Sequence, residues 1–185
     1  NNYGLTKLYC ENLINHFALN DSLNFIILRY FNAAGSDYDS GIGELRDPET
    51  HLIPRISEQI LKKKTISVFG NQYKTKDGTC IRDFIHVNDI ASAHVFSLRR
   101  ILSKDMNKTY NVGTGIGYSV SEIIKIFKKL SEINIKVKIA KKRSKDPEKL
   151  IANPTLFKNH FNWKPKSSDI KNIINSEIYW RKMNI

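Results

Sequence analysis

The stretch that decides the fold class is the apolar run Phe-Ile-Ile-Leu-Arg-Tyr at residues 25–30, followed by Phe-Asn-Ala-Ala-Gly at residues 31–35. A continuous apolar run of this length is typical of a strand that is buried on both faces of a parallel sheet. Ahead of it, apolar side chains recur every fourth residue from Leu5 to Phe17, which predicts a helix over residues 3–19 with one apolar face. A helix that leads into a buried strand indicates an α/β protein.

Helix and strand patterns continue through the rest of the chain. Helices are predicted over residues 54–64 and 88–102, after Ser119, after Pro154 and around residues 173–180, and strands over residues 66–69, 80–87, 110–112 and 135–140. Asn88 is the expected N-cap of its helix, and Ser119 with Glu122 forms a Ser-x-x-Glu capping box. Residues 33–50 form a loop too long for a simple connection, so this loop is expected to be functional or to cross between domains. Residues 141–153 are expected to form a charged loop.

The composition is that of an ordinary folded protein. Among 185 residues, 41% are hydrophobic and 26% are charged, far from the composition of disordered chains. No run approaches the roughly 20 apolar residues of a membrane span, and no signal pattern opens the chain, so no membrane association is expected. Cys10 and Cys80 form neither a disulfide framework nor a zinc ribbon, which makes the reducing cytoplasm the expected compartment.

The net charge of +12 raises the possibility of a nucleic-acid partner. The lysines are scattered, however, and no helix-turn-helix, zinc-finger or RNA-binding signature accompanies them. A small anionic ligand or a biased composition explains the charge without nucleic acid. The five histidines have no metal-ligand spacing, so no metal site is predicted.

Tyr3 and Lys7 stand four residues apart and therefore share one face of the predicted first helix. A tyrosine with a pKa of about 10 is a poor base at neutral pH, and a neighbouring ammonium group favours the phenolate. The pair is a candidate proton-transfer site. By spacing alone, two residues on an ordinary helix face remain an equally good interpretation.

Longer strings carry a family resemblance over essentially the whole chain. Tyr-Gly-Leu-Thr-Lys at residues 3–7 and Leu-Arg-Tyr-Phe-Asn-Ala-Ala-Gly at residues 28–35 closely resemble the extended short-chain dehydrogenase family. Residues 68–89, Val-Phe-Gly-Asn-Gln-Tyr-Lys-Thr-Lys-Asp-Gly-Thr-Cys-Ile-Arg-Asp-Phe-Ile-His-Val-Asn-Asp, resemble the UDP-glucose 4-epimerases in particular. Sister families have a shorter segment, without the insertion that carries Tyr73, Thr75 and Asp77-Gly78-Thr79. The motifs His-Leu-Ile-Pro at 51–54, Tyr-Asn-Val-Gly-Thr-Gly at 110–115 and Lys-Arg-Ser-Lys-Asp-Pro at 142–147 extend the resemblance.

The resemblance implies the C-terminal part of an NAD(P)-binding Rossmann-type extended short-chain dehydrogenase fold, together with its smaller mixed α/β substrate-binding domain. Residues 1–35 would be a remnant of the dinucleotide-binding domain. Residues 36–185 would form the UDP-sugar-binding domain, with residues 80–112 packing back toward the Rossmann part. The implied reaction is the interconversion of UDP-glucose and UDP-galactose through transient oxidation at the sugar C4 by tightly bound NAD.

The resemblance also gives matching residues their roles. Tyr3 would take the proton of the sugar 4-hydroxyl, Lys7 would lower the pKa of Tyr3 and hold the nicotinamide ribose, and Phe31 would join them at the cofactor. The implied UDP-sugar contacts are Asn32, His51, Leu52, Val68, Phe69, Arg82, Arg143, Asp146 and Leu150. By sequence alone, Arg82 could instead pair with Asp83 or Asp89, and Arg143 could be one solvated cation of a basic loop.

Several expected features lie outside this sequence. No Gly-x-Gly-x-x-Gly fingerprint occurs, and the chain begins at Asn1, so we expect a piece that lacks the N-terminal NAD-binding half and the catalytic serine of the family. The isolated chain is then expected to be inactive and prone to association, with a homodimer possible. Lys145 and Asn153 depart from the family's usual Gly and Asp, and Leu150 stands where side-chain size is thought to admit or reject N-acetylated sugars.

Two rival functions stay open. One is an epimerase of another UDP-sugar, such as an N-acetylated sugar or a capsule or lipopolysaccharide precursor. The other is a non-catalytic UDP-sugar-binding half that pairs with a separate NAD-binding half. A nucleic-acid module is a distant further possibility.

Overall fold

The computed structural model describes residues 2–21, 23–103, 106–144 and 146–184. Its helices are α1 (Asn2–Asp21), α2 (Leu52–Leu61), α3 (Val87–Ser103), α4 (Val120–Ser131), α5 (Thr155–Phe161) and α6 (Ile170–Asn184). Its strands are β1 (Phe25–Tyr30), β2 (Asn32–Ala34), β3 (Ile66–Phe69), β4 (Ile81–His86), β5 (Asn107–Val112), β6 (Gly117–Ser119), β7 (Val137–Ala140) and β8 (Lys149–Leu150). A short 3-10 turn covers Tyr38–Ser40. The chain is a mixed α/β protein, as the sequence predicts.

Most strand pairs are parallel. β1 pairs with β5 over its whole length, with Phe25 opposite Asn107 and Tyr30 opposite Val112. β4 is the centre of a second sheet, in which β2 and β8 are its parallel partners and β6 is antiparallel to it. β3 and β7 form a separate parallel pair. Parallel pairs between strands distant in the chain need crossover helices, and this sequence supplies them.

The predicted elements are largely present with shifted ends. The strand over residues 66–69 agrees with β3, and the Ser119–Glu122 capping box is formed by both of its hydrogen bonds. The predicted N-cap at Asn88 is wrong, because α3 begins at Val87, directly after β4. His86 acts in its place: its Nδ1 accepts the Asn88 N–H at 3.1 Å.

Two stretches predicted as loops contain short strands. Residues 33–50 begin within β2, and residues 141–153 contain β8. Both strands pair with β4, which lies far from each of them in the sequence. Three- and two-residue strands have no period of their own, so only the distant partner reveals them.

Apolar side chains form two clusters. The larger packs α2, α4 and α6 against β3 and β4, with Ile53, Phe127 and Ile173 among its fully buried members. The other packs α3 and α5 against β1 and β5, around Tyr110, Phe157 and Trp163. Trp163 and Trp180 are both buried and anchor the core.

The apolar face of α1 has no partner among the described residues. Leu5, Tyr9, Leu13 and Phe17 are all half or more exposed, and Ala18 is the buried residue of this helix. The expectation that β1 is buried on both faces is also wrong, because only Phe25 is buried and the strand becomes exposed toward Tyr30. Both departures have one cause: within the described residues, β5 is the sole strand beside β1.

The Asp83 carboxylate ties three segments together. It is fully buried in β4 and accepts the Gly115 N–H at 2.9 Å, the Ala152 N–H at 3.2 Å and both the N–H and the hydroxyl of Thr114. Gly113 is needed beside it, because a Cβ there would lie 2.8 Å from Asp83 Oδ2 and 2.5 Å from the Ala152 Cβ. The glycine-containing stretch at residues 113–117 therefore forms a turn around the Asp83 carboxylate.

Within the described ranges, we find no helix that joins the length and the apolar character required for crossing a membrane.

We predict that Asp83→Asn destabilises the chain by about 3 kcal/mol. The NH2 group of asparagine would face backbone N–H groups, which are donors too and cannot pair with it. Urea unfolding monitored by circular dichroism measures this change. Asp39→Asn, at an exposed carboxylate in the 3-10 turn, is the matched control and should unfold like the unmodified chain. Equal stability of Asp83→Asn and the control would contradict the role assigned to Asp83.

Candidate functional site

A cavity of about 800 Å³ collects most of the residues that the sequence singles out. It lies where β2, β3 and β4 meet the beginning of α2 and the chain around β8. The predicted residues that line it are Tyr3, Phe31, Asn32, His51, Leu52, Val68, Phe69, Arg82, Arg143, Asp146 and Leu150. Lys7 is the one predicted site residue that does not line it.

Arg82 and Asp146 form an ion pair in the cavity wall. Arg82 projects from β4 and pairs with Asp146 Oδ1 through its Nη2, while its Nη1 donates to the Ile81 carbonyl at 2.7 Å. The alternative partners considered from sequence are wrong: Asp83 holds the glycine turn, and Asp89 accepts hydrogen bonds from the chain at residues 166–168. Arg82 alternates with Asp83 along the strand, so the two side chains lie on opposite faces.

Asn32 in β2 and Phe69 in β3 both line the cavity, from two different sheets. The Asn32 carboxamide donates to the Asp83 carbonyl at 2.7 Å, which fixes its orientation while its oxygen stays available. Phe69, the last residue of β3, carries the Arg143 guanidinium over its ring at 4.2 Å and that of Arg55 at 5.6 Å. Arg143 is therefore held at the cavity by an aromatic ring, although it belongs to an exposed basic segment.

The beginning of α2 is anchored to α6. His51 is the N-cap of α2, and Glu49 Oε1 accepts the N–H groups of Thr50 and His51 at 2.8 and 2.9 Å. The other Glu49 oxygen accepts from Arg181 at 2.5 Å. These contacts hold His51 and the following Leu52 at the cavity wall.

Arg181 is shared between two buried carboxylates. Its Nε donates to Glu177 at 2.7 Å, and its Nη2 donates to Glu49. Burial, with the nearby Glu49 and Glu44 carboxylates and against the opposing effect of Arg181, raises the pKa of Glu177 to about 7. Glu177 Oε2 has no hydrogen-bond partner in the part of the chain that the structure describes, which fits a carboxyl that keeps its proton near neutral pH.

Glu44, Glu49 and His51 bring three possible metal ligands within 4.8 Å of one another. Their atoms already have partners: Arg181 and two N–H groups occupy Glu49, and His51 Nδ1 contacts Glu44 at 2.7 Å. We assign this cluster to holding the loop that precedes α2, rather than to a metal ion.

Tyr3 and Lys7 lie on α1 at the edge of the cavity. Tyr3 contributes to the cavity lining and is 72% exposed, and the Lys7 ammonium lies 5.4 Å from the centroid of its ring. The helix is connected to β1 by an ion pair between Glu11 and Arg29, and the Arg29 guanidinium lowers the pKa of Glu11. The pair is thus close together in space, on an exposed helix.

Sequence reasoning missed several cavity residues. Cys80, Arg55, Phe84, Asn111 and Tyr30 also line the cavity. Cys80 could have been found, because it stands two residues before Arg82 in an extended segment and so shares its face. Burial raises the pKa of its thiol, so Cys80 is a neutral side chain in this wall.

Comparisons with known proteins agree with this architecture. Residues 1–113 match the family model of the NAD dependent epimerase/dehydratase family. The chain is 37% identical over 183 residues to a UDP-glucose 4-epimerase from Halalkalibacterium halodurans, with 98% of this chain and 55% of the relative covered. The chain therefore spans about half the length of the curated relatives that it matches.

Two solved structures are similar to it. A UDP-glucose 4-epimerase from Bifidobacterium longum, in complex with NAD+ and UDP, has a TM-score of 0.92 at 32% identity and covers 100% of this chain and 55% of its own. The UDP-Glc/GlcNAc 4-epimerase from Campylobacter jejuni has a TM-score of 0.76 at 39% identity, covering 98% and 55%.

The helices and parallel strand pairs are those of the C-terminal part of an extended short-chain dehydrogenase fold, in agreement with the sequence prediction. The chain belongs to the NAD dependent epimerase/dehydratase family.

We predict that Glu177 makes stability depend on pH. Because the folded chain binds this proton more tightly than the unfolded chain, the stability that it confers is complete below pH 4.5 and is lost as the pH rises to about 7. The slope is at most about 1.4 kcal/mol per pH unit. Urea unfolding at pH 5 and pH 7 measures it, and Glu177→Gln should remove this contribution.

The result is taken as a difference between variants, because burial lowers the pKa of His86 and gives a pH dependence of opposite sign. Glu132→Gln, at an exposed position after α4, is the control and should keep the slope of the unmodified chain. An identical pH dependence for Glu177→Gln and the unmodified chain would refute the prediction.

Proposed function

We propose that this chain supplies the UDP-sugar pocket and the Tyr3–Lys7 pair of an NAD-dependent UDP-glucose 4-epimerase. The observation that carries the proposal is the cavity in which Arg82, Arg143, Asn32 and Asp146 come together, with Tyr3 at its edge. Four polar side chains from three segments of the chain around one cavity are what recognition of a polar, anionic ligand requires.

Two guanidinium groups would hold the diphosphate. Arg82 comes from β4, and Arg143 is held on the ring of Phe69. A guanidinium presents N–H donors in a planar fork that fits phosphate oxygens and stays charged at all physiological pH values. Asn32 would contribute a further polar contact, since its orientation is fixed by the Asp83 carbonyl.

The uridine would lie between apolar and hydrogen-bonding groups. Leu52, Val68 and Phe69 provide apolar surface and backbone groups for the uracil, with His51 beside them at the start of α2. Asp146 has carboxylate oxygens that can accept from the ribose hydroxyls. Leu150 faces Arg82 across the β4–β8 pair, at the end of the pocket assigned to the sugar.

The chemical step would use Tyr3 as the base. Its hydroxyl, helped by the positive charge of Lys7, would take the proton from the sugar 4-hydroxyl and later return it. Bound NAD would supply the reversible hydride transfer at the sugar C4 that inversion at this carbon requires. Tyr3 and Lys7, with Phe31 nearby, are the residues of this chain that would contact the cofactor.

An NAD-binding half is the partner that this proposal requires. The apolar residues of α1 are exposed, and β5 is the one strand beside β1 among the residues that the structure describes. Both observations support a further contact on that side of the chain. A homodimer that uses the same helix is a second possible use of this surface. The chain would then combine nucleotide binding with one side of the catalytic site.

A second candidate is epimerisation of a different UDP-sugar. Leu150 is 46% exposed at the cavity, a side chain of intermediate size at the sugar end. One similar structure is a UDP-Glc/GlcNAc 4-epimerase, which favours keeping N-acetylated sugars among the candidates. Product analysis with UDP-glucose and UDP-N-acetylglucosamine on the completed enzyme would decide between them.

We predict that the purified chain binds UDP and that Arg82→Ala weakens this binding by roughly tenfold to a hundredfold, the cost of a lost charge-assisted hydrogen bond. Isothermal titration calorimetry measures both affinities. Arg99→Ala removes an exposed arginine of α3 that does not line the cavity, and it should bind like the unmodified chain. Equal affinities for the Arg82 and Arg99 variants would argue against a UDP site at Arg82.

We also predict that the chain alone does not interconvert UDP-glucose and UDP-galactose when NAD is supplied, because it lacks the dinucleotide fingerprint. Chromatography of the sugar nucleotides after long incubation tests this. Mixing with the NAD-binding half of a similar epimerase should produce turnover, and Tyr3→Phe should abolish that turnover while leaving UDP binding intact. Robust turnover by the chain alone would disprove the prediction.

A further inference from the structure

The segment at residues 70–79 has no role in the proposed function. In the structure it is a closed loop: the Tyr73 N–H donates to the Gly78 carbonyl at 2.9 Å, and the Thr75 hydroxyl donates to the Thr79 carbonyl at 2.7 Å. Asp77 accepts from the N–H of Thr79 at 2.9 Å. These bonds give the loop a fixed conformation.

The loop is also fastened to a helix. The other Asp77 oxygen accepts the Ser119 hydroxyl, which belongs to the capping box of α4. Hydrogen bonds from Ser119 and Thr79 lower the pKa of Asp77, against the effect of burial, so the carboxylate stays charged. The loop is therefore anchored to the start of α4, and its side chains are held in fixed positions.

Tyr73 is the residue that this loop presents to the cavity wall. Its side chain is 4% exposed, and its hydroxyl donates to Asp146 Oδ2 at 3.5 Å. The Lys142 ammonium lies over its ring, 4.0 Å from the centroid. Tyr73 thus contacts residues on both sides of Arg143 in the sequence.

Gly70 makes this packing possible. A Cβ at this position would lie 2.9 Å from the Tyr73 ring and 3.1 Å from the Lys142 Cβ, and its φ of +88° also disfavours other residues. The Gly70 N–H donates to the Ala140 carbonyl at 3.0 Å, at the end of β7. The ring and the backbone that carries Lys142 and Arg143 are therefore in close contact.

We propose that Tyr73 is a positioning residue for nucleotide binding: its hydroxyl orients the Asp146 carboxylate, and its ring holds Lys142, so that Asp146 and Arg143 are fixed at the pocket before UDP arrives. This inference rests on the proposed function and deepens it. The two carboxylate oxygens of Asp146 have different partners: Oδ1 pairs with Arg82 and Oδ2 accepts from Tyr73. These contacts fix the orientation of the carboxylate plane. Burial, together with the charge of Asp146, raises the pKa of Tyr73, which keeps its hydroxyl a donor.

The test is a double-mutant cycle on UDP affinity, measured by calorimetry. Tyr73→Phe keeps the ring and removes the hydroxyl, and we expect UDP to bind roughly threefold to tenfold more weakly. In the Asp146→Ala background the same substitution should have no further effect, because the hydroxyl acts through Asp146. Tyr73→Leu, which also removes the ring from Lys142, should weaken binding more than Tyr73→Phe.

Tyr110→Phe is the matched control. Tyr110 is buried and its hydroxyl lies 2.5 Å from His160 Nδ1, but it does not line the cavity, so this variant should keep the affinity of the unmodified chain. Thermal unfolding of all variants separates folding from binding.

Each other outcome overturns the inference. If the unmodified chain binds UDP and Tyr73→Phe binds it equally well, the positioning role is wrong and the proposed function stands. An equal loss in the Asp146→Ala background, or failure of Tyr73→Phe to fold, would make the role structural. If the unmodified chain does not bind UDP, the proposed function fails first and this inference falls with it.

Discussion

The burial of the Asp83 carboxylate is the constraint on which the cavity depends. A buried carboxylate needs several donors, and here they come from the turn after β5 and from the chain after β8. Both segments are thereby held against β4. Because side chains alternate along a strand, fixing Asp83 on one face directs Arg82 to the other, where it meets Asp146. A structural carboxylate and a candidate ligand-binding arginine are thus adjacent in sequence for a geometric reason.

The remaining cavity walls are fixed by cation–π contacts and by a buried ion pair. Arg143 and Lys142 each lie over an aromatic ring, and Arg181 holds the loop before α2 through Glu49. Such contacts restrict long side chains that would otherwise lose conformational freedom on binding. Part of the net charge of +12 therefore comes from cations that are held in place at this cavity, where an anionic ligand could bind. The scattered lysines indicate no particular ligand.

The elements and site residues that follow from local periodicity or from long motifs could be predicted from the sequence. Those that depend on contacts with distant residues could not. The capping box at Ser119 and strand β3 follow from neighbouring residues, whereas β8 exists only because Arg82 pairs with Leu150 across the sheet. Most site residues came from family motifs, and the structure places them around one cavity apart from Lys7. The Arg82–Asp146 pair and the Glu49–Arg181 pair join residues too far apart in sequence for any pattern to reveal.

The two parts of the proposed site differ in how firmly they are held. Arg82, Asp146 and Tyr73 belong to segments joined by strand pairing and partly buried hydrogen bonds, so their geometry is fixed by the core around β4. Tyr3 and Lys7 stand on α1, whose apolar face is exposed and which is linked to β1 by the Glu11–Arg29 ion pair. An exposed ion pair contributes little to stability, so α1 gains most from apolar burial against a further surface. Nucleotide binding and proton transfer should therefore be separable, since only the second depends on where α1 lies.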